Sequence, residues 1–230
     1  MRLHPLMGVL MVAAAAATLA SPNAAMAEGK YTVAELKETA PDALAPEVRE
    51  SLGKSGHRVS DSAGKAICEL WLRPDLPVIE KIQEQFVMYP IEPGTLVGAV
   101  RFPADGSDYR KQKVKAGVYT LRYGHQPQDG NHLGTADYRD FLILLPAVED
   151  KSPAKIKQEA AMEVSKKVSG TTHPAILSLL PPEKGRAKLP LMVHQDTLGL
   201  EVLVTKTTGK LGGKTQDVQI ELVAVGHGAE

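Results

Sequence analysis

Hydrophobic and polar residues alternate along much of the chain from residue 57 onwards, which is the pattern of strands with one buried face. The first clear pair is Arg58–Asp61 and Ala66–Arg73, joined by turn residues 62–65, and it predicts a hairpin. In the second strand one face is predicted to point to the core: Ala66, Cys68, Leu70 and Leu72. Trp71 lies on the other face, where we expect a loop or helix to cover it.

Further segments carry strand patterns. They are Thr95–Phe102, Gly117–His125, Arg139–Leu145, Leu191–Asp196, Leu200–Thr207 and Val218–Val225. An extended apolar run at 173–180 brings the total to about nine strands. Asp75–Tyr89 fits either a helix or a strand. Strands do not alternate with helices, so the predicted fold is mostly β: an antiparallel β-sandwich or an open barrel.

Two regions depart from the alternation and predict helices. Near the start, Thr32 and Glu35 form a capping-box pattern, so a helix is predicted from Tyr31. A second short helix is predicted from Pro46, because proline is well suited to the first helical position. The strongest helical pattern covers about 152–169, where apolar residues recur every four positions and Gly170 follows as a terminator.

The first 27 residues have the features of an export signal. Arg2 supplies a positive start, Leu6–Leu19 is an apolar run, and Ala25–Ala27 fits a small-x-small cleavage site. We therefore predict cleavage after residue 27 and a periplasmic or secreted protein; an uncleaved anchor is the alternative. The remaining chain divides into a helical segment at 28–56 and a single β-sandwich-like domain at 57–226.

Composition excludes several classes of function. The chain has 27 basic and 27 acidic residues, so loss of Arg2 with the signal leaves 26 against 27. A net charge of −1 gives no basic field for nucleic acid, which is therefore not predicted as a partner. The single cysteine, Cys68, forms no internal disulfide and is predicted to be a buried small hydrophobe. No later stretch is apolar enough to cross a membrane.

Polar residues gather most densely in the loop 126–138, between two predicted strands. The candidate ligand-binding residues of this region are His125, Asp129, Asn131, His132, Asp137 and Tyr138. The loop is long for a hairpin connection, which favours a binding role. Aspartate, asparagine and glycine at its tip are equally typical of an ordinary structural turn.

Imidazole and carboxylate groups in one loop also suit a zinc, copper or iron ion. The candidate metal ligands are His125, Asp129 and His132, with His194 as a distant addition. Their spacing matches no strong metal signature, so no cofactor is predicted outright and zinc or copper is the alternative. His227 lies in a terminal tail that we expect to fray.

Three stretches resemble a group of exported bacterial proteins that have no assigned activity. They are CELWLR at 68–73, AGVYTLRYGHQPQDGNHLG at 116–134 and RDFLILLP at 139–146. The resemblance covers the middle third of the chain. It implies export and a β fold, and it supplies no catalytic residues.

The leading hypothesis is an exported β-sandwich module that binds a protein partner or a small ligand through the 126–138 loop. The alternative is a metal-dependent hydrolase or oxidoreductase that uses the same loop, and a purely structural envelope component is a third possibility. No nucleophile motif or phosphate-binding loop is present, so a non-catalytic role is favoured and no catalytic residue is assigned.

Overall fold

The computed structural model describes residues 1, 30–126, 138–186 and 188–228. Within these residues the chain forms thirteen strands and two helices. The strands are β1 Tyr31–Leu36, β2 Gly56–Asp61, β3 Ala66–Leu72, β4 Leu76–Pro77, β5 Leu96–Phe102, β6 Gly106–Ser107, β7 Lys113–Val114, β8 Gly117–His125, β9 Asp140–Pro146, β10 Ile176–Ser178, β11 Leu191–Gln195, β12 Leu200–Leu211 and β13 Lys214–Val225. The helices are α1 Pro46–Glu50 and α2 Gln158–Ser169.

The strands form one large sheet, one smaller sheet and a short hairpin. The large sheet has the order β1-β2-β3-β5-β8-β9-β10 and the smaller one β11-β12-β13, with β4 pairing beside β12 in the parallel direction. All other pairings are antiparallel, and the large sheet curls into a half-barrel. A bridge between Leu179 and Leu222 links the two sheets beyond β10, and β1 lies beside β11. The predicted antiparallel, mostly β fold is confirmed.

The main hydrophobic core lies between the two sheets and follows the predicted alternation. In β8 the side chains of Tyr119, Leu121 and Tyr123 belong to this core. Thr120 and Arg122 point to the opposite face of the sheet and are also fully buried, because residues 150–154 cover that face. β8 is therefore a central strand with both faces packed.

The predicted hairpin of β2 and β3 is confirmed, as are the buried positions of Cys68 and Leu70. Burial raises the pKa of the Cys68 thiol to about 12, which disfavours a reactive thiolate. Trp71 is 1% exposed, and its Nε1–H donates to the carbonyl oxygen of Glu38 at 2.8 Å. The segment from Leu36 to Leu52 packs over its ring, so the expected structural role of Trp71 is confirmed.

The predicted helix at Tyr31 is wrong, because these residues form the edge strand β1. The capping-box pattern acts only locally, whereas pairing of all six residues with β2 gives a continuous hydrogen-bonded ladder. The short helix predicted from Pro46 is confirmed as α1. Asp75–Tyr89, which fitted either element, forms only the two-residue β4 and irregular chain.

Helix α2 is confirmed, although it begins at Gln158, six residues after the predicted start. The delay has a structural cause: the carbonyl oxygens of Ser152 and Ala154 accept hydrogen bonds from Arg122 instead of entering a helix. The end of the helix is as predicted, with Gly170 in the left-handed conformation at φ 66°. Within the described part of the chain, neither helix has the length and apolar character that crossing a bilayer requires.

The buried pair of Arg122 and Asp150 fixes the segment that leads to α2. Nε and Nη2 of Arg122 each donate to one oxygen of Asp150 at 2.7 Å. The other three donors go to the carbonyl oxygens of Gly94, Ser152 and Ala154 at 2.6 to 2.8 Å. All five guanidinium donors are therefore satisfied, which is the condition under which a buried charge is tolerated.

Candidate functional site

The two ends of β8 hold different groups of polar residues. At about 3.3 Å per residue, its nine residues separate Gly117 from His125 by about 26 Å. A cavity lies by the Gly117 end, since Phe102, which lines it, is the register partner of Gly117. A cluster of ionisable side chains lies at the His125 end, where β8 pairs with Asp140 of β9.

The cavity has a volume of about 230 Å³ and opens between the ends of strands from both sheets. Its apolar lining includes Ile67, Phe102, Val114, Leu177, Val223, Ala224 and Val225. Val114, Leu177 and Val223 are buried and form the deeper wall. A mainly apolar concavity with a few polar groups is the usual form of a small-molecule site.

The hairpin of β6 and β7 forms one wall of the cavity, and Asp108 holds this wall in place. The Asp108 side chain is 1% exposed. Its oxygens accept from the backbone N–H groups of Arg110, Gln112 and Ile176 and from the Gln112 side-chain amide, all at 2.8 to 3.0 Å. These four donors use the hydrogen-bonding capacity of the carboxylate, so the wall is built before any ligand arrives.

The C-terminal tail passes over the mouth of the cavity. Gly226 turns the chain at φ 112°, and a side chain there would meet Leu200 Cδ2 at 2.7 Å. The backbone N–H of Gly228 then donates to the carbonyl oxygen of Tyr109 at 3.0 Å. Between these two points His227 Nε2 lies 2.8 Å from the hydroxyl of Ser107, and both residues line the cavity. The expectation that His227 belongs to a frayed tail is wrong.

Two exposed charged residues complete the rim, Lys65 and Asp105. One oxygen of Asp105 accepts from the backbone N–H of Ala116 at 2.7 Å. The ammonium group of Lys65 takes part in none of the ion pairs formed among the described residues. The rim therefore offers a cation, one carboxylate oxygen, a hydroxyl and an imidazole to a ligand.

At the other end of β8, the carboxyl group of Asp140 is buried among hydrogen-bond donors. Tyr123 donates its hydroxyl to Oδ1, and the backbone N–H of Met88 lies 3.1 Å from Oδ2. Burial raises the pKa of Asp140, although these hydrogen bonds act in the opposite direction. Burial also raises the pKa of Tyr123, and the nearby carboxylate adds to this effect. The pair therefore keeps its protons more tightly than exposed groups would.

Tyr89 extends this arrangement into the core. Its hydroxyl donates to the carbonyl oxygen of Leu180 at 2.8 Å and accepts from the backbone N–H of Glu221 at 3.0 Å. Burial raises the pKa of Tyr89 as well. Each of these buried groups has partners within the protein, which is typical of a structural network.

His125 and Arg139 lie at the outer edge of the same region and share Glu84. His125 Nε2 is 3.3 Å from one oxygen of Glu84, and Arg139 Nη2 is 2.9 Å from the other. Both side chains are largely covered, with 12% and 11% of their area exposed. His125 is thus held by a carboxylate from the segment that precedes β5.

Of the predicted binding residues, the structure describes only His125 and Tyr138. Tyr138 is partly buried and packs against the cluster that contains Phe141 and Ala161. The other four lie outside the described residues: Asp129, Asn131, His132 and Asp137. Binding through the 126–138 loop therefore stays a prediction.

The predicted metal site likewise stays a prediction. His194 lies on β11 in the smaller sheet, where its ring contacts Glu201 at 3.0 Å and Asp196 at 3.3 Å. Across the residues that the structure describes, no three histidine, cysteine or acidic side chains come together as a metal-binding group. Asp129 and His132, two of its proposed ligands, are not among those residues.

The cavity residues were missed by reasoning from sequence, because nothing local marks them. Lys65 lies in a hairpin turn, Ser107 in a polar connection and His227 near the C-terminus. Only the antiparallel sheet order brings these separated segments to one place. Comparison of the chain with protein-family models, curated proteins and solved structures gives no match.

Proposed function

We propose that this chain is an exported binding domain that holds a small, largely apolar molecule in the cavity by the Gly117 end of β8. The observation that carries the proposal is the cavity itself, with mainly apolar walls from both sheets and a few polar side chains. Export rests on the sequence of the first 27 residues.

The size of the cavity limits the ligand. A volume of about 230 Å³ exceeds the roughly 150 Å³ of an apolar cavity that takes up benzene in another protein. A single aromatic ring with a short side chain, or a short acyl chain, therefore fits. Burial of such a group is favourable by about 25 cal/mol per Å² of apolar surface.

Toluene is a suitable first probe, because it is apolar like the cavity lining and has no polar group that needs a hydrogen-bond partner at the rim. Ligand-observed NMR on the full chain is expected to give a Kd on the order of 1 mM, equivalent to about −4 kcal/mol. The Ala224→Leu variant adds three carbon atoms to a lining residue and is expected to weaken toluene binding at least several-fold.

The matched control is Ala34→Leu, which makes the same change at an exposed position of β1 away from the cavity. It is expected to bind toluene as the wild type does. Circular dichroism shows whether each variant is folded. Binding that is absent in the folded wild type, or that Ala224→Leu and Ala34→Leu alter equally, would overturn the proposal.

A further inference from the structure

The polar groups that line the cavity differ in how many hydrogen bonds they already form within the protein. Asp108 forms the most, since its carboxylate accepts from four N–H groups. Asp105 has one oxygen bound by the Ala116 N–H. Lys65, by contrast, is exposed and pairs with no carboxylate of the described chain. Lys65 is therefore the one charged side chain of the cavity lining that has no partner among the described residues, whereas both carboxylates accept at least one hydrogen bond.

The pair of Ser107 and His227 adds to this donor character. When the His227 Nε2 carries the proton, it donates to the serine oxygen at 2.8 Å, and the hydroxyl proton of Ser107 is free for a ligand. When His227 is protonated on both nitrogens, Nδ1–H is a further donor. In the other neutral tautomer Ser107 donates to Nε2 and Nδ1 carries the proton, so in each of the three states the pair keeps at least one donor for a ligand.

From this balance we infer that the ligand of the cavity is a carboxylate with an aromatic or short-chain apolar body. The apolar part lies against Leu177 and Val223, and the carboxylate reaches the Lys65 ammonium and the Ser107 hydroxyl at the mouth. The inference rests on the proposed function, since it assigns a polar end to the molecule that the cavity holds. Carboxylates are well suited to such a mouth because charge-assisted hydrogen bonds are stronger than neutral ones.

Three probes with one hydrocarbon body test the inference: 3-phenylpropionate, 3-phenylpropan-1-ol and 3-phenylpropylamine. Kd values from calorimetry on the full chain are expected to rank the carboxylate tightest and the amine weakest. The affinity for the carboxylate should exceed that for the alcohol by up to about five-fold, which is the upper end of the range for a solvent-exposed ion pair. Raising the salt concentration should reduce this advantage and leave alcohol binding unchanged.

Two variants distinguish the contribution of the Lys65 charge to carboxylate binding from that of its side-chain size. Lys65→Gln is expected to bind the carboxylate and the alcohol equally, whereas Lys65→Arg keeps the preference for the carboxylate. Lys65 is exposed, so neither variant is expected to unfold the protein. Circular dichroism checks this.

The outcomes distinguish this inference from the proposal on which it rests. If the alcohol or the amine binds as tightly as the carboxylate, and Ala224→Leu still weakens that binding, the cavity is a binding site and the assigned headgroup is wrong. If none of the three probes binds, both the site and the headgroup are wrong. A carboxylate preference that survives in Lys65→Gln also overturns the inference, because it would then come from another group.

Discussion

The polar groups at the two ends of β8 differ in their exposure to solvent. At the His125 end, Asp140 and Tyr123 are buried and hydrogen-bonded to each other. At the Gly117 end, Ser107 and His227 also bond to each other, but they are exposed beside a cavity. A ligand would have to displace existing partners at the first end, whereas the second end has apolar space and the Lys65 ammonium group, which forms no ion pair among the described residues.

From this difference we expect the solvation of ionisable residues to be a better sign of a binding site than their density along the chain. Burial of an unpaired polar group costs about 1–3 kcal/mol, so a folded protein satisfies such groups internally. The residues left for a ligand are those that water can still reach. On this criterion the sparse rim around Lys65 is the better candidate for binding.

The largest change in the free energy of unfolding is expected from breaking the buried ion pair between Arg122 and Asp150, on the face of β8 opposite the main core. Arg122→Leu leaves the Asp150 carboxylate buried without its cation, and we expect a loss of about 3–5 kcal/mol in the free energy of unfolding. Urea denaturation followed by circular dichroism measures it. The double variant Arg122→Leu/Asp150→Leu removes both charges and should recover part of the loss. A single variant within 1 kcal/mol of wild type would show that the pair is not desolvated as the structure indicates.

A smaller change in the free energy of unfolding is expected from deleting one hydroxyl group at each end of β8. Tyr123→Phe removes a donor from the buried Asp140 carboxyl, so the free energy of unfolding should fall by about 1–3 kcal/mol. Ser107→Ala removes an exposed partner of His227, and its effect should stay within about 0.5 kcal/mol. The same urea experiment compares the two variants directly. Equal losses would mean that the two ends do not differ in solvation.

The smallest expected effect is a change in the pH dependence of stability. Because burial raises the folded-state pKa of Asp140 above the unfolded value of about 3.9, protonation of this group favours the folded state. That contribution is complete below the unfolded pKa and is lost as the pH rises through the folded pKa. The free energy of unfolding of the wild type, relative to Asp140→Asn, should therefore decrease as the pH rises across this range.

Urea unfolding at a series of pH values, starting below about pH 4, measures this difference. The control is Asp105→Asn, a change of the same chemistry at the exposed rim. Its curve is expected to follow the wild type more closely than that of Asp140→Asn does. A constant offset between wild type and Asp140→Asn at every pH would contradict the raised pKa.

Local hydrophobic patterns were sufficient to predict the centre of the fold. Both bounds of β8 follow from apolar residues at every second position, and the position of β9 follows from the continuous apolar run at 141–145. Where the determining interaction is distant in sequence, prediction from the chain failed. Tyr31–Leu36 has a helix-start pattern but pairs with β2 some 25 residues later. The start of α2 is delayed by hydrogen bonds to Arg122, which lies about 30 residues earlier.

The candidate site depends still more on distant contacts. The cavity joins Lys65, the hairpin at 106–114 and the tail at 226–228, and no local pattern relates these segments. The Gly228 N–H to Tyr109 carbonyl bond, which places His227, is a backbone contact that any sequence could make. The density of polar residues at 126–138 was visible in the sequence, yet within this range the structure describes only Gln126 and Tyr138.

The chain contains one tryptophan, and this residue is buried beneath the segment that runs from Leu36 to Leu52. Its intrinsic fluorescence therefore reports on a single place in the molecule. Detachment of the N-terminal segment would expose the indole and shift its emission to longer wavelength even while the sheets stay paired. A red shift that precedes the loss of the far-ultraviolet signal would identify that segment as the first part of the protein to open.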